Sequence, residues 1–171
     1  MKLDLKTLVT LALLVAINII LTRIFVIYIT DFSRLDLGNV PIILAGLFFG
    51  PAAGAIAGAA ADIFGSAVLS GRGWYPPLTV GPLLMGLIPG LLRSWLQRKP
   101  NWGRVLLIVI LAEAVASILW KTFWLAKLYN MGYFALLALR GPVALILIAV
   151  ETILVYILYK RLLPVVRKNQ G

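Results

Sequence analysis

Long apolar segments separated by short polar ones make up most of this chain. The first apolar segment runs from about residue 5 to residue 29, and a polar connection follows it. The next stretch, residues 37–69, is almost uncharged, and its length of about 33 residues exceeds the roughly 20 that one membrane span needs. We predict a break at Gly50, because Pro51 disfavours helical geometry at the residue before it and glycine permits a tight turn.

The same pattern predicts six helices along the whole chain. Their expected bounds are residues 5–29, 40–49, 52–69, 78–96, 105–128 and 134–162. Gly141 and Pro142 are expected to kink the sixth helix or to mark its true start. Helices of these lengths form an all-α integral membrane bundle of six transmembrane helices, and we expect one domain over residues 1–171.

Composition supports a membrane protein without catalytic chemistry. Hydrophobic residues make up 62% of the 171 residues, well above the usual share in soluble domains. The chain has no cysteine and no histidine, which removes thiolate ligands and the commonest general base. We therefore expect no catalytic residue, no metal site and no cofactor. The net charge of +10 comes from residues scattered among apolar segments, so it indicates contact with a lipid bilayer and not with nucleic acid.

The distribution of lysine and arginine predicts the orientation of the bundle. Ten of the sixteen lie near the termini or between the fourth and fifth predicted helices: Lys2, Lys6, Arg93, Arg98, Lys99, Arg104, Lys160, Arg161, Arg167 and Lys168. Because cytoplasmic loops carry the excess of positive charge, both termini are expected in the cytoplasm of a multi-pass plasma membrane protein.

The six other cations are expected in the outer half of the bundle. They are Arg23, Arg34, Arg72, Lys121, Lys127 and Arg140. Topology gives no reason for them there, whereas an anionic ligand approached from outside does. The alternative is that some reach lipid headgroups or pair with Asp31, Asp36 or Glu151, and we favour this alternative for Arg23 and Lys127.

Asp62 is predicted to face the interior of the bundle. Gly54 and Gly58 precede it at four-residue intervals on one helix face, and small residues are typical of closely packed membrane helices. An acid within the membrane is a candidate functional group, and a carboxylate can accept two N–H groups of a flat ring at once. A structural pair with Lys121 or Arg140 is the alternative.

Aromatic residues accompany the outer cations. Aromatic faces can sandwich a flat heterocycle, and neighbouring cations can hold a carboxylate tail. We therefore predict an outer ligand pocket, and a belt of interfacial aromatic residues is the alternative. The predicted ligand-binding residues are Arg34, Asp36, Asp62, Trp74, Tyr75, Trp120, Lys121, Trp124 and Arg140.

Three segments carry a resemblance to a known family. They read RLDLGNVPIILAGLFFGPAAGAIAGAAADIFG, YPPLTVGPLLMGLIPGLL and SILWKTFWLAKLYNMGYFALLALR. They resemble the folate-type substrate-binding S components of energy-coupling factor (ECF) vitamin transporters. The resemblance extends from Ala12 to about Tyr156, and its most specific part is Gly46 to Pro51 with Gly54 and Asp62 at fixed distances.

The resemblance implies a bundle that captures a vitamin from outside and does no chemistry on it. It implies that Ala12 and Ala16, which alone would indicate helix packing, dock onto the transmembrane T component. Two ATPase subunits would supply the energy. A P-loop, GxxxxGK followed by serine or threonine, does not occur in the chain, in agreement with ATP binding by partners.

A folate ligand would use the predicted pocket in three parts. Its pterin edge would lie on Asp62, its rings between Trp74, Tyr75, Trp120 or Trp124, and its glutamate near Arg34, Lys121 or Arg140. Asp36, Leu37, Asn39 and Lys121 depart from the folate-type pattern, so a queuosine precursor, pantothenate or another ring-bearing vitamin stays open.

Two other classes of function are alternatives. One is a structural or regulatory membrane subunit without a small ligand. The other, an intramembrane enzyme, is disfavoured because Asp62, Glu113 and Glu151 are expected to be well separated, with no nucleophile or metal cluster beside them. Glu113 is expected to be a packed acid satisfied by a neighbour or by an ion pair.

Overall fold

The computed structural model describes residues 5–30, 33–69, 74–98 and 101–170, and most of these are helical. The helical elements of these ranges are α1 (Leu5–Arg23), α2 (Asn39–Phe49), α3 (Pro51–Leu69), α4 (Pro76–Arg98), α5 (Trp102–Ala112), a π-helical segment (Glu113–Lys121), α6 (Thr122–Leu128) and α7 (Tyr133–Gln170). The strands β1 (Ile27–Thr30) and β2 (Ser33–Leu35) form an antiparallel hairpin between α1 and α2. The three elements from α5 to α6 follow one another as one long helix, Trp102–Leu128.

Four helices of the described residues are long and apolar enough to cross a membrane. They are Leu5–Arg23, Pro76–Gln97, Trp102–Leu128 and Tyr133–Pro164. Large apolar side chains such as Leu91, Leu107 and Leu145 are exposed on the outside of three of these helices. Such a surface is typical of a protein that contacts lipid, so the described chain is a mostly helical membrane bundle.

The first helix is shorter than predicted. It ends at Arg23, and residues that were expected to continue it to Ile29 instead form β1. This segment is rich in β-branched and aromatic residues, which favour strands as well as membrane helices. The all-α prediction therefore needs the correction of one short hairpin. The pairing of Tyr28 with Arg34 places both residues beside the candidate site.

The predicted break between the second and third helices is confirmed. Gly50 ends α2 with a φ of 98°, a conformation that glycine adopts at little cost, and α3 begins at Pro51.

The suggestion that Gly141 and Pro142 mark the start of the last helix is wrong, because α7 begins at Tyr133 and includes Pro142. Proline is tolerated within membrane helices when neighbouring groups satisfy the freed backbone carbonyl.

Helices α2, α3 and α4 meet through glycines. A Cβ added at Gly86 would lie 2.0 Å from the carbonyl oxygen of Gly54, and one added at Gly46 would lie 2.3 Å from the carbonyl oxygen of Gly86. A Cβ at Gly58 would lie 2.0 Å from the carbonyl oxygen of Pro82. The backbones are therefore in direct contact, and this contact fixes the face of α3 that continues towards Asp62.

We expect Gly86→Ala to destabilise the bundle, because its methyl group would collide with backbone that cannot move aside. Overpacking of this kind costs about 1–3 kcal/mol, and a backbone collision belongs at the upper end. Thermal unfolding in detergent measures the effect. Gly103→Ala is the matched control, since no atom lies within 4 Å of the added Cβ. Equal melting temperatures for the two variants would contradict the close crossing.

Candidate ligand-binding cavity

A cavity of about 560 Å³ lies at the end of the bundle that carries the β-hairpin. The ends of several elements line it: the last turns of α1 and α3, the first turns of α2 and α4, the π-helical segment with α6, and the first half of α7. Its volume is within the range of small-molecule sites, about 300–1,000 Å³.

Seven of the nine predicted ligand-binding residues line this cavity. They are Arg34, Asp36, Asp62, Trp74, Tyr75, Lys121 and Arg140. The other two, Trp120 and Trp124, do not line the cavity but contact residues at or near its wall. The indole N–H of Trp120 donates to the carbonyl oxygen of Pro77 at 2.8 Å, and the Trp124 ring meets the Tyr75 ring edge-on with 6.3 Å between centroids. Arg72 and Asp31 lie outside the described residues.

The π-helical segment supplies several residues of the long helix to the cavity. Glu113, Ser117 and Lys121 follow one another at four-residue intervals, and all three line it. Residues four apart are neighbours on one helix face. Turns of π-helix are frequent at functional sites.

Asp62 is held by hydrogen bonds and not by an ion pair. The hydroxyl of Thr79 donates to its Oδ2 at 2.8 Å, and the indole N–H of Trp74 donates to that hydroxyl at 2.8 Å. Within the described part of the chain, no cation lies within 4 Å of the Asp62 carboxylate, so the structural pair with Lys121 or Arg140 is not formed. The carboxylate is partly exposed in the cavity and remains available to a ligand.

The charged pair at the hairpin is an ion pair. Arg34 Nε lies 2.9 Å from Asp36 Oδ2, while Asp36 Oδ1 accepts from the backbone N–H of Gly38 at 3.2 Å. The side-chain amide of Asn18 on α1 donates to the carbonyl oxygen of Gly38 at 2.6 Å. These contacts fix the chain between the hairpin and α2 against α1.

A buried polar cluster next to the cavity was not predicted. The side-chain amide of Asn39 donates to Glu113 Oε1 at 2.6 Å and to Glu151 Oε1 at 3.0 Å. Because one amide contacts both carboxyl groups, the two glutamates lie close together, and the expectation that they lie well apart is wrong for this pair. Both are buried, at 1% and 0% exposed. The positive end of the α2 dipole, at Asn39, also favours the two carboxylates. The sequence indicated such a cluster only through two acids, Glu113 and Glu151, in otherwise apolar helices.

Four cations and three carboxylates line the cavity. The cations are Arg23, Arg34, Lys121 and Arg140, and the carboxylates are Asp36, Asp62 and Glu113. Only the Arg34–Asp36 pair is closer than 4 Å among the described residues. Arg23, which was expected to reach lipid headgroups or to pair with an acid, lies in the cavity wall, and no acid is within 4 Å of it among the described residues. Lys127 lies over the ring of Phe123 at 4.7 Å and does not line the cavity.

The sequence profile of the ECF transporter substrate-specific component matches residues 6–159. The chain belongs to this family. As an S component it is the substrate-binding subunit of an ECF-type transporter, and it is a multi-pass protein of the plasma membrane.

Several relatives of this S component are known. It is 24% identical to the folate transporter FolT of Clostridium novyi (strain NT), over 88% of this chain and 86% of the relative. It is 26% identical to FolT of Leuconostoc mesenteroides subsp. mesenteroides, over 77% and 70% of the two chains.

Solved structures of S components share its fold. A crystal structure of FolT bound with folic acid matches with a TM-score of 0.79 and 26% identity, over 90% of this chain and 92% of that chain. An S component for biotin matches with a TM-score of 0.72 over 92% and 90% of the two chains, but at 23% identity it shows the fold alone.

Proposed function

We propose that this S component captures folate from outside the cell, without changing it chemically, for ATP-driven uptake through partner subunits. The observation that carries the proposal is the pairing, in one cavity, of the available Asp62 carboxylate with the cations Lys121 and Arg140, which have no acid within 4 Å among the described residues. Folate needs both, because its ring edge carries N–H donors and its tail carries carboxylates. The likeness to FolT structures and sequences supports this choice.

The proposed binding mode divides the cavity into three parts. The pterin edge lies on Asp62, and the rings lie against Trp74 and Tyr75, which line the cavity. The glutamate tail reaches the cations Arg34, Lys121 and Arg140. Trp120 and Trp124 then act indirectly: they hold the start of α4 and the Tyr75 ring in place.

The proposed topology is one domain over residues 1–171 with six transmembrane helices and cytoplasmic termini. The helices are α1, α2, α3, α4, the long helix Trp102–Leu128, and α7. Supporting cations lie on the end of the bundle opposite the cavity, as the positive-inside rule requires of the cytoplasmic end. Among them are Arg93, Arg104, Lys160 and Arg161.

The proposed partners are the transmembrane T component and two ATPase subunits, with Ala12 and Ala16 as the docking site. Both alanines are exposed on α1, beside exposed Leu8, Leu13 and Ile20. The small side chains would let a partner helix approach this stripe closely.

We expect the double change Ala12→Leu and Ala16→Leu to abolish association with the T component and the ATPases, because the larger side chains would hold a partner helix away. The change should leave folate binding intact, since neither alanine lines the cavity. Co-purification of the complex and titration of the isolated subunit measure the two effects. Ala138→Leu, at an exposed position of α7, is the control. Normal complex formation by the double variant would contradict the docking site.

A ligand panel tests the proposed function. Folic acid, biotin and pantothenate are each added in excess to the purified protein, and the melting temperature is recorded. A ligand at 100 times its Kd stabilises the folded state by about 2.7 kcal/mol. Stabilisation by folic acid alone supports the proposal, and stabilisation by another compound instead assigns that compound. The absence of any shift would contradict folate and assign the site to a compound outside this panel, such as a queuosine precursor.

A further inference from the structure

Arg23, the last residue of α1, has an unexplained buried donor. Its side chain lines the cavity, and its Nε is buried without a hydrogen-bond partner in the described part of the chain. Gly65 on α3 makes room for it, since a Cβ added there would lie 3.1 Å from Arg23 Nε and 3.2 Å from Nη2. The Nε thus lies against α3. No hydrogen bond of the terminal guanidinium N–H groups is found among the described residues, so these groups are the donors open to a ligand in the cavity.

The charges around Arg23 leave it uncompensated. The charged groups that act on it are Arg34, Asp62 and Asp36, and of these Asp36 is already paired with Arg34. Asp62 lies three residues before Gly65, on the same face of α3, but its carboxylate is more than 4 Å from the guanidinium. The cavity wall therefore presents a carboxylate acceptor and a set of guanidinium donors that no ion pair within 4 Å joins.

This order of acceptor and donors matches one edge of a 2-amino-4-oxo pteridine ring. That edge carries an amino group and a ring N–H, which are donors, followed by a carbonyl oxygen and a ring nitrogen, which are acceptors. The last two have the same arrangement as O6 and N7 of guanine, which arginine binds with two parallel hydrogen bonds. Lysine cannot reproduce this fork, because its ammonium group is a point charge.

Resting on the folate-binding function proposed above, we propose that Arg23 and Asp62 form hydrogen bonds with adjacent parts of the pterin edge. Asp62 accepts the amino and ring N–H hydrogen bonds, and Arg23 donates to the carbonyl oxygen and the neighbouring ring nitrogen. Arg23 is then a specificity residue for rings with a 4-oxo group. A 4-amino ring offers a donor at that position, and it would face the donors of Arg23. The same ring lacks the ring N–H that Asp62 accepts, so part of its weaker binding does not depend on Arg23.

The test compares folic acid with its 4-amino analogue in equilibrium titrations at mildly alkaline pH. The proteins are the wild type, Arg23→Gln, Arg23→Lys and the control Lys127→Gln, which changes a cation outside the cavity. We expect the wild type to prefer folic acid. Arg23→Gln should weaken folic acid binding by about 10- to 100-fold, change binding of the 4-amino analogue far less, and so reduce the preference to the part that comes from Asp62.

Arg23→Lys keeps the positive charge but removes the two parallel N–H donors of the guanidinium. It also replaces Arg23→Gln in the test if that variant does not fold. We expect Arg23→Lys to reduce the preference for the 4-oxo ring while Lys127→Gln retains it. An equal loss for both compounds in the Arg23 variants, or no loss, would overturn the inference while leaving the folate-binding function in place. A wild type that binds neither compound would overturn the proposed function and this inference with it.

Discussion

Replacing Asp62 by asparagine is expected to lower the affinity for folic acid by about 100-fold or more. The substitution removes a charge and puts an amide donor where the proposed pterin edge presents donors of its own. A hydrogen bond to a charged group contributes about 1.5–3 kcal/mol, two such bonds are proposed here, and each 1.4 kcal/mol is a factor of ten in Kd. Equilibrium titration of the purified variant, with its melting temperature as a check on folding, measures the loss.

Thr79→Val is the matched control for Asp62. It removes the hydroxyl that joins Trp74 to Asp62 and keeps the carboxylate. One neutral hydrogen bond contributes about 1 kcal/mol, so we expect a loss of less than about tenfold. If Asp62→Asn bound folic acid as the wild type does, or if Thr79→Val lost as much as Asp62→Asn, the carboxylate would not be the group that binds the ring.

Replacing Asn39 by leucine is expected to unfold much of the protein or to lower its melting temperature sharply. The amide of Asn39 is the donor shared by Glu113 and Glu151, both of which are fully buried. Removing the amide leaves two buried carboxyl groups without their shared donor, and each buried polar group left unsatisfied costs about 1–3 kcal/mol. Thermal unfolding in detergent, followed by circular dichroism, measures the change.

A rescue variant tests whether the lost hydrogen bonds cause this destabilisation. Glu113→Leu and Glu151→Leu are added to Asn39→Leu, so that no polar group of the cluster is left without its partner. Replacing a buried polar cluster with hydrophobic residues of similar size is often neutral or stabilising, so we expect much of the lost stability to return. A melting temperature as low as that of Asn39→Leu alone, or no effect of Asn39→Leu at all, would contradict this account of the cluster.

The sequence predicts a helix well where the length of an apolar segment or a proline determines where the helix begins and ends. Apolar segments of span length and the Gly50–Pro51 step mark real elements, because a membrane span needs a fixed number of residues and glycine with proline ends a helix. The hairpin could not be foreseen, since the apolar β-branched residues up to Ile29 suit a strand as well as a membrane helix. Their conformation is decided by pairing with residues 33–35, which periodicity does not record.

The residues of the candidate site could be predicted where an ionisable side chain lies within an apolar helix. Asp62, Lys121 and Arg140 stand out because ionisable residues in apolar helices need a reason, and all three line the cavity. Trp120 was predicted to line the pocket, but its indole N–H instead donates to the carbonyl oxygen of Pro77. The Asn39 cluster joins α2, the π-helical segment and α7, so only tertiary structure reveals it.

Titration of the purified wild-type protein with folic acid, followed by tryptophan fluorescence, tests the central claim most directly. Trp74 lines the cavity and Trp124 contacts Tyr75 in its wall, so a bound pterin should quench their emission. We expect saturable quenching with a Kd in the nanomolar range or below. Unchanged emission and no binding by calorimetry, in protein that remains folded, would contradict folate as the ligand of this cavity.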